Sequence, residues 1–411
     1  MAADANPTPA RIVVAGGGIA GLETLLALRD LAADRAAVTL VAPEMDFTYK
    51  PLAVDEPFTF MPPERRELAP VAAELGAEFV QQAVERVAPE DHRLGLADGT
   101  QLDYDIAVLC LGGRPRAAYR SAHTFWAPGE ALDIEQVLRD AAASDSGRLV
   151  LLVPPGVTWS LPLYEVALMS RGRAQQLGLP DLEIVVVTPE PAPLSIFGPV
   201  ASQAIAELLR VRGIEVRCDR WAEETDDGSL LLMPGHERLE AEQVIALPVI
   251  TGPALEGVPA TEGFIAIDEH ARVRDCEDLY AAGDGTAFPI KQGGIATQQA
   301  DAAAEHIAAR LGAGIEPAAF HPVLRGKLFV GDESVNLKAD LAGGGGEGVA
   351  SPDYLWWPPH KVSGRYLAPW LAGELRGHTP EPSEHALDIE VALPREWHGT
   401  PLFPGSGDIG P

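Results

Sequence analysis

The sequence predicts an α/β protein made of two similar, doubly wound units and a small C-terminal domain. Three observations predict it. A glycine-rich turn joins an apolar strand to an amphipathic helix near the N-terminus. The same strand–helix–strand order recurs from Arg148. A late strand, Leu279–Ala282, runs into a Gly-Asp-Gly turn and a long alanine-rich helix.

The elements follow in order from hydrophobic periodicity and turn residues. Residues 1–10 are an Ala- and Pro-rich tail. Arg11–Ala15 is a β-branched apolar strand, and the sequence AGGGIAGLE follows at once. Leu22, Leu25, Leu26, Leu28 and Leu31 lie at helical spacing and predict a helix from Ile19 to about Asp34. Ala37–Ala42 is a second strand, closed by Pro43. A proline-punctuated stretch runs from Met45 to Pro70. Strands then alternate with turns over Glu78–Val87, Arg93–Ala97 and Tyr104–Leu111. The second unit has strands at Arg148–Val153, Glu183–Thr188, Ile214–Cys218 and Val244–Pro248. Its helices run from Leu161 to about Leu177 and over Val200–Val211. The order repeats that of residues 11–111, so the fold reads as duplicated and diverged. From Gly263 the chain returns to the first unit, and a helix runs from about Gly294 to Leu311. The domain boundaries expected are 1–118 and 260–325 for the first unit, 119–259 for the second, and 326–411 for a C-terminal interface domain ending in an acidic, Pro-rich tail from His378.

Bulk composition excludes several classes. The 411 residues carry 60 acidic and 31 basic side chains, a net charge of −29. Such a field repels phosphate backbones, so nucleic acid is excluded as a partner, and a membrane contact is at most peripheral. The longest apolar runs, Leu149–Val153 and Ile184–Val187, have strand length and fall far short of the roughly 20 residues that span a bilayer. The N-terminus has no basic region followed by an apolar stretch, which argues against a secretory signal. Cys110, Cys218 and Cys276 lie far apart with no CxxC spacing. They predict no disulfide framework and no metal site, and a cytoplasmic location is the expectation.

Two motifs carry the chemistry. Gly16-x-Gly18-x-x-Gly21 lies between a strand and a helix. There Gly16 makes the turn, Gly18 lets a pyrophosphate approach the backbone, and Gly21 allows close helix–strand packing, with the helix N-terminus facing the negative charge. Glu44, at the end of the next strand, stands where a carboxylate accepts hydrogen bonds from ribose hydroxyls. With both strands and the acid present, this is a Rossmann-like dinucleotide-binding domain. The second motif is Leu279-Tyr280-Ala281-Ala282-Gly283-Asp284-Gly285, followed by Lys291, Gln292, Gly293 and Gly294 before a helix.

The pair of motifs resembles the two FAD signatures of the pyridine nucleotide–disulfide oxidoreductase superfamily. The resemblance implies FAD as cofactor, with Asp284 bonding the ribityl chain or a flavin phosphate. The helix N-terminus at Gln292, Gly293 and Gly294 would face the pyrimidine end of the flavin. Gly112, which ends the strand before the crossover, and Gly283 fall in the same cofactor set. Asp46–Glu56 (DFTYKPLAVDE) is similar to the segment after the ribose acid in sulfide:quinone oxidoreductases and type II NADH dehydrogenases. That similarity implies that Pro51, with Lys50 beside it, lies against the flavin. Glu165 matches a glutamate that approaches the flavin and shuttles protons in the superfamily, although a helix N-terminus alone favours a carboxylate there. Lys291 resembles lysines near the flavin C2 carbonyl, where a cation favours the reduced anion, although a solvated lysine fits the pattern too.

The chain departs from these relatives in its second unit. A nicotinamide site would place GxGxxG after Val153, and the sequence has Pro154-Pro155-Gly156-Val157-Thr158-Trp159-Ser160. Prolines remove backbone donors and Trp159 fills space, so no glycine-lined phosphate cradle is expected, while Glu190 still holds the ribose-acid position. The loop is similar to that of sulfide:quinone oxidoreductases, but those enzymes carry a redox cysteine here and a partner cysteine after the second FAD motif. This chain has Thr158, Trp159 and Ser160 at the first place, and no cysteine between residues 285 and 411. Cys110, inside an apolar strand, reads as packed core. The cluster from Tyr354 to Lys361 reads as a domain or dimer contact, or as the lining of an apolar acceptor pocket. The expected function is an FAD-dependent oxidoreductase working between a small-molecule electron donor and acceptor. The alternatives are an NAD(P)H dehydrogenase and an FAD-bound module without turnover. Any self-assembly is expected to be a homodimer.

Overall fold

The computed structural model describes residues 8–59, 65–126, 132–330, 334–338, 349–351, 355–356, 358, 360–373, 396–397 and 400–401. Two five-stranded parallel sheets organise them. The first has the order Leu279–Ala281, Ile106–Leu109, Ala10–Ala15, Ala36–Val41, Glu78–Val80. Its inner strands are apolar on both faces because helices and loops cover both, as parallel sheets require. The helix Ile19–Leu31 is buried from Ala20 to Leu28 and packs on the helix Gly293–Arg310. The small alanine side chains at Ala296, Ala300, Ala303 and Ala304 let the two helices meet in the first core.

The second sheet repeats the plan with the order His123–Thr124, Gln243–Ala246, Arg148–Leu152, Glu183–Val187, Ile214–Arg217. Each unit inserts a three-stranded antiparallel sheet before the strand that returns beside its central one. These insertions are Val84–Ala88, Arg93–Leu96 and Gln101–Asp103 in the first unit, and Trp221–Glu224, Leu230–Met233 and Glu237–Arg238 in the second. The shared insertion point supports the duplication read from the sequence. Arg114–Arg116 and Val249–Thr251, the two crossings between the units, pair antiparallel.

Several expectations need correcting. The strand expected over Glu78–Val87 is broken in two by a turn in which the Gln82 N–H donates to Val80 O at 3.0 Å. The first helix stops at Leu31, because Ala33 takes a positive φ of 46°. Four helices were missed, two of them short, Glu56–Thr59 and Leu367–Leu371. Leu68–Glu74 begins inside the proline-punctuated stretch, where Pro70 falls in the first turn and removes a donor with no partner there anyway. Ile134–Ala143 is capped by Asp133, whose carboxylate accepts the Gln136 N–H at 3.0 Å, and it buries Ile134, Val137, Leu138 and Ala141 along one face.

The region after residue 311 divides between the two cores. Phe320, Leu324, Leu328 and Leu337 join the second core, where the strand Arg325–Phe329 lies against the helix Leu161–Gln176. Val362, Tyr366, Leu367 and Trp370 join the first core. Trp356 is buried and donates its Nε1–H to His360 O at 2.9 Å, while Trp357 and Pro359 lie outside the described residues. So does most of the tail from His378, apart from a pairing of Glu396–Trp397 with Thr400–Pro401.

Candidate functional site

The glycine loop separates packing from binding. The Gly16 N–H donates to Val41 O at 2.7 Å, and a Cβ on Gly16 would fall 2.1 Å from Cys110 O. A Cβ on Gly21 would fall 1.8 Å from Gly16 O. Both glycines are therefore required by the protein itself. At Gly18 a Cβ would meet no atom within 4 Å, and its φ of −87° suits any residue. Gly18 is the N-cap of the helix Ile19–Leu31 and no side chain caps it, so the first-turn N–H groups have no partner within the helix. Glu44 stands exposed beyond the end of the neighbouring strand Ala36–Val41, at the carboxyl edge of the same sheet.

The second signature lies at the carboxyl end of Leu279–Ala281. Gly283 has a φ of +92°, and its N–H donates to Gln299 Oε1 at 2.8 Å. Asp284 follows. Burial pushes its carboxyl up, while Lys291 and Lys50 pull it back, so three residues singled out from the sequence share one electrostatic cluster. The Asp284 carboxylate accepts no hydrogen bond from the described residues. Lys291 turns back on its own loop, donating to Thr286 O at 2.5 Å and Phe288 O at 2.8 Å, with its Nζ 3.9 Å over the Phe264 ring. Burial pushes the Lys291 amine down to about 8, against the pull of Asp284. Lys50 is exposed and opens a 3₁₀ turn, Lys50–Val54, with Pro51 half-buried beside it. Gly112 takes a φ of +67° and lets its carbonyl oxygen approach Gly285.

Gln292 is the N-cap of the helix Gly293–Arg310. Its Oε1 accepts the Ile295 N–H at 2.8 Å and its Nε2 donates to Arg325 O at 3.0 Å. Its carboxamide thus holds the helix start. Gly294 is small because a Cβ would fall 2.9 Å from the same carboxamide. A Cβ on Gly293 would press on Val362 at 2.7 Å and Ile19 at 3.2 Å. Gln299 and Thr286, both buried, belong to the same group and were not singled out, although a glutamine inside an alanine-rich buried helix is the kind of break in pattern that marks such a residue.

The loop of the second unit is closed. The Thr158 hydroxyl donates to Pro289 O at 2.5 Å, tying the loop to the turn before Lys291. Trp159 packs edge-on against Phe197, with ring centroids 5.9 Å apart. Glu190 does not face outward. Its Oε2 accepts the Tyr164 hydroxyl at 2.8 Å and the Thr188 hydroxyl at 2.8 Å, and burial pushes its carboxyl up. The acid expected at a ribose is occupied by two internal donors. Burial also pushes the Cys110 thiol up to about 12 and the Cys218 thiol up to about 11, and raises Cys276.

Glu165, in the second turn of the helix Leu161–Gln176, has no exposed surface. Its oxygens accept from Lys361 Nζ at 2.7 and 2.6 Å, and Oε1 also accepts the Phe329 N–H at 2.9 Å. The Lys361 Nζ lies 4.3 Å from the centre of the Phe329 ring. Burial pushes Glu165 up to about 7 and Lys361 down, so both partners are driven toward their neutral forms. Lys361 was singled out only as part of an aromatic cluster, since its partner lies 196 residues away.

No protein-family model matches the chain. Curated proteins do. A sulfide-quinone reductase of Aquifex aeolicus is 26% identical over 192 residues, covering 44% of this chain and 43% of that protein. A rhodocoxin reductase of Rhodococcus erythropolis is 26% identical over 298 residues, 68% of this chain and 65% of that protein. The chain thus spans less than two thirds of either relative. The X-ray structure of the Aquifex aeolicus sulfide:quinone oxidoreductase matches with a TM-score of 0.74 over 83% of this chain and 86% of that one, at 20% identity, a likeness of fold. The sulfide-quinone reductase, the rhodocoxin reductase and, among the structural neighbours, ferredoxin reductases and an NDH2 are FAD-dependent flavoproteins of the pyridine nucleotide–disulfide oxidoreductase type, as the resemblance of the two signatures implied.

Proposed function

We propose that the chain is an FAD-dependent oxidoreductase that takes electrons from a donor other than NAD(P)H and passes them to a small acceptor such as a quinone. The carrying observation is the contrast within the glycine loop. Gly16 and Gly21 are explained by protein atoms, whereas at Gly18, between them at the helix start, no protein atom and no φ requires a glycine, which leaves room there for a pyrophosphate. The fit extends to Asp284, a carboxylate with no hydrogen-bond donor from the described residues at the matching sheet edge. FAD, when bound, supplies two-electron redox chemistry. The residues' part is positioning. The loop and the helix start at Ile19 would receive the pyrophosphate, and Glu44 the ribose hydroxyls. Asp284 would accept from the ribityl side, with Lys50 and Pro51 beside the ring. The helix start at Gln292, Gly293 and Gly294 would offer partial positive charge to the pyrimidine edge. Glu165 can hold a proton near neutral pH and exchange it with Lys361.

Two features support exclusion of the nicotinamide: the Thr158–Pro289 tie and the inward Glu190. The relatives include a sulfide-quinone reductase, and quinone reduction is the part of that activity carried over to this chain. Sulfide oxidation through cysteine persulfides is left out, because Thr158, Trp159 and Ser160 stand where the first thiol belongs, and neither a hydroxyl nor an indole forms a persulfide. The test is anaerobic titration of the purified holoprotein with NADH, NADPH, sulfide and small thiols, following the flavin's visible band. Slow or absent bleaching by both nicotinamides is expected. Rapid, saturable bleaching by micromolar NADH would overturn the reading of the loop and favour a dehydrogenase.

A further inference from the structure

Residues 361–367 are pinned at four points. Lys361 is tied to Glu165 of the second unit. The Val362 N–H donates to the Tyr49 hydroxyl at 2.8 Å, next to Lys50 and Pro51. The Val362 and Ile19 side chains both lie against Gly293, and Ile19 and Gly293 are the first residues of the two helices that start at the glycine loop and at Gln292. The fourth pin is Glu23, one turn into the first helix and fully buried. Its two oxygens accept the N–H groups of Tyr366 at 2.9 Å and Leu367 at 2.7 Å. Gly364 has to be glycine here, because a Cβ would fall 2.6 Å from Glu23 Oε2.

We propose that this segment is a strap that sets the spacing of the two helix N-termini at the cofactor, with Val362 and Glu23 as its positioning residues. The inference rests on the FAD reading above. The geometry carries it because every pin but the Lys361–Glu165 pair, which ties the segment to the second unit, lands beside a residue assigned to the cofactor. Tyr49 precedes Lys50, Ile19 follows Gly18, Gly293 follows Gln292, and Glu23 lies two residues beyond Gly21. A buried carboxylate that satisfies two backbone donors also has a high cost of removal, so the strap is not free to lift without unpairing them.

The test measures the rate of FAD loss from the holoprotein of Val362→Ala and Glu23→Ala, with the melting temperature of each apoprotein alongside. Val362→Ala leaves all the hydrogen bonds in place and removes only the wedge. It should release FAD about tenfold faster, a change of about 1.4 kcal/mol. Glu23→Ala should release it faster still, and Glu23→Gln, which keeps one acceptor oxygen, should fall between the two Glu23 forms. Should Glu23→Ala fail to fold, Val362→Ala decides alone. A strap that is only structural predicts equal losses of apo and holo stability and an unchanged rate of FAD loss, and that result overturns the proposal. A wild-type chain that takes up no flavin overturns this inference and the FAD reading together. A wild-type chain that holds FAD with a rate indifferent to Val362→Ala overturns the strap alone.

Discussion

Alanine at Gly18 and at Gly21 should have opposite signatures. At Gly21 the new Cβ would fall 1.8 Å from Gly16 O, against an ordinary contact of roughly 3.4 Å or more, so the helix must move off the strand turn. Overpacking of this kind costs about 1–3 kcal/mol in the apoprotein. At Gly18 the Cβ meets nothing within 4 Å and φ is −87°, so the only apoprotein cost is alanine at an N-cap, about 1 kcal/mol or less. The same Cβ would project into the space assigned to the pyrophosphate and weaken FAD binding at least about tenfold, roughly 1.4 kcal/mol. The assay is chemical denaturation of each apoprotein, paired with FAD titration followed by flavin fluorescence. Gly18→Ala that binds FAD as tightly as wild type would refute the reasoning, because the openness at Gly18 would then have nothing to do with a ligand.

Further predictions concern buried charge and thiols. Lys361→Met should cost about 3–5 kcal/mol near pH 8, because it strands the Glu165 carboxylate, and the loss should shrink near pH 5, where that carboxyl is protonated; denaturation at the two pH values checks it. Glu165 and Glu23 are both raised by burial, from 4.5 to about 7. A raised acid contributes stability that is fully present below pH 4.5 and lost as pH rises through about 7, so wild-type melting temperature should rise between pH 8 and pH 5.5; a fall over that window would contradict the burial of both groups. The triple variant Cys110→Ala, Cys218→Ser, Cys276→Ser should keep its FAD and its turnover, with a packing loss near Cys110 of about 1 kcal/mol. Sulfide-dependent activity that vanishes in that variant while FAD stays bound would restore a thiol mechanism.

The parts legible in the sequence were those set by short-range pattern. The glycine loop, the repeated strand–helix order and the return at Leu279 rest on period and turn residues, and the observed sheets follow them. The helix at Ile134 was missed although its signals are short-range too, the cap Asp133 and the spacing Ile134, Val137, Leu138, Ala141. What was not legible depends on pairs distant in the chain. Glu190 keeps the sequence position of a ribose acid, and only the arrival of the Tyr164 hydroxyl, 26 residues earlier, shows that it is occupied. Lys361 and Glu165 lie 196 residues apart, and Glu23 meets Leu367 across 344. Gln292, singled out for the cofactor, spends its side chain on capping a helix, a role that residue type alone does not distinguish.

The central claim is that the two signatures together hold one FAD. The most direct measurement is to denature the purified protein, or the apoprotein after incubation with FAD, and to identify and count the released flavin by chromatography. The account predicts FAD, one per chain, and its loss in Glu44→Arg, which places a cation where ribose hydroxyls need an acceptor. Release of FMN, or a chain that stays colourless after incubation with FAD, would contradict it.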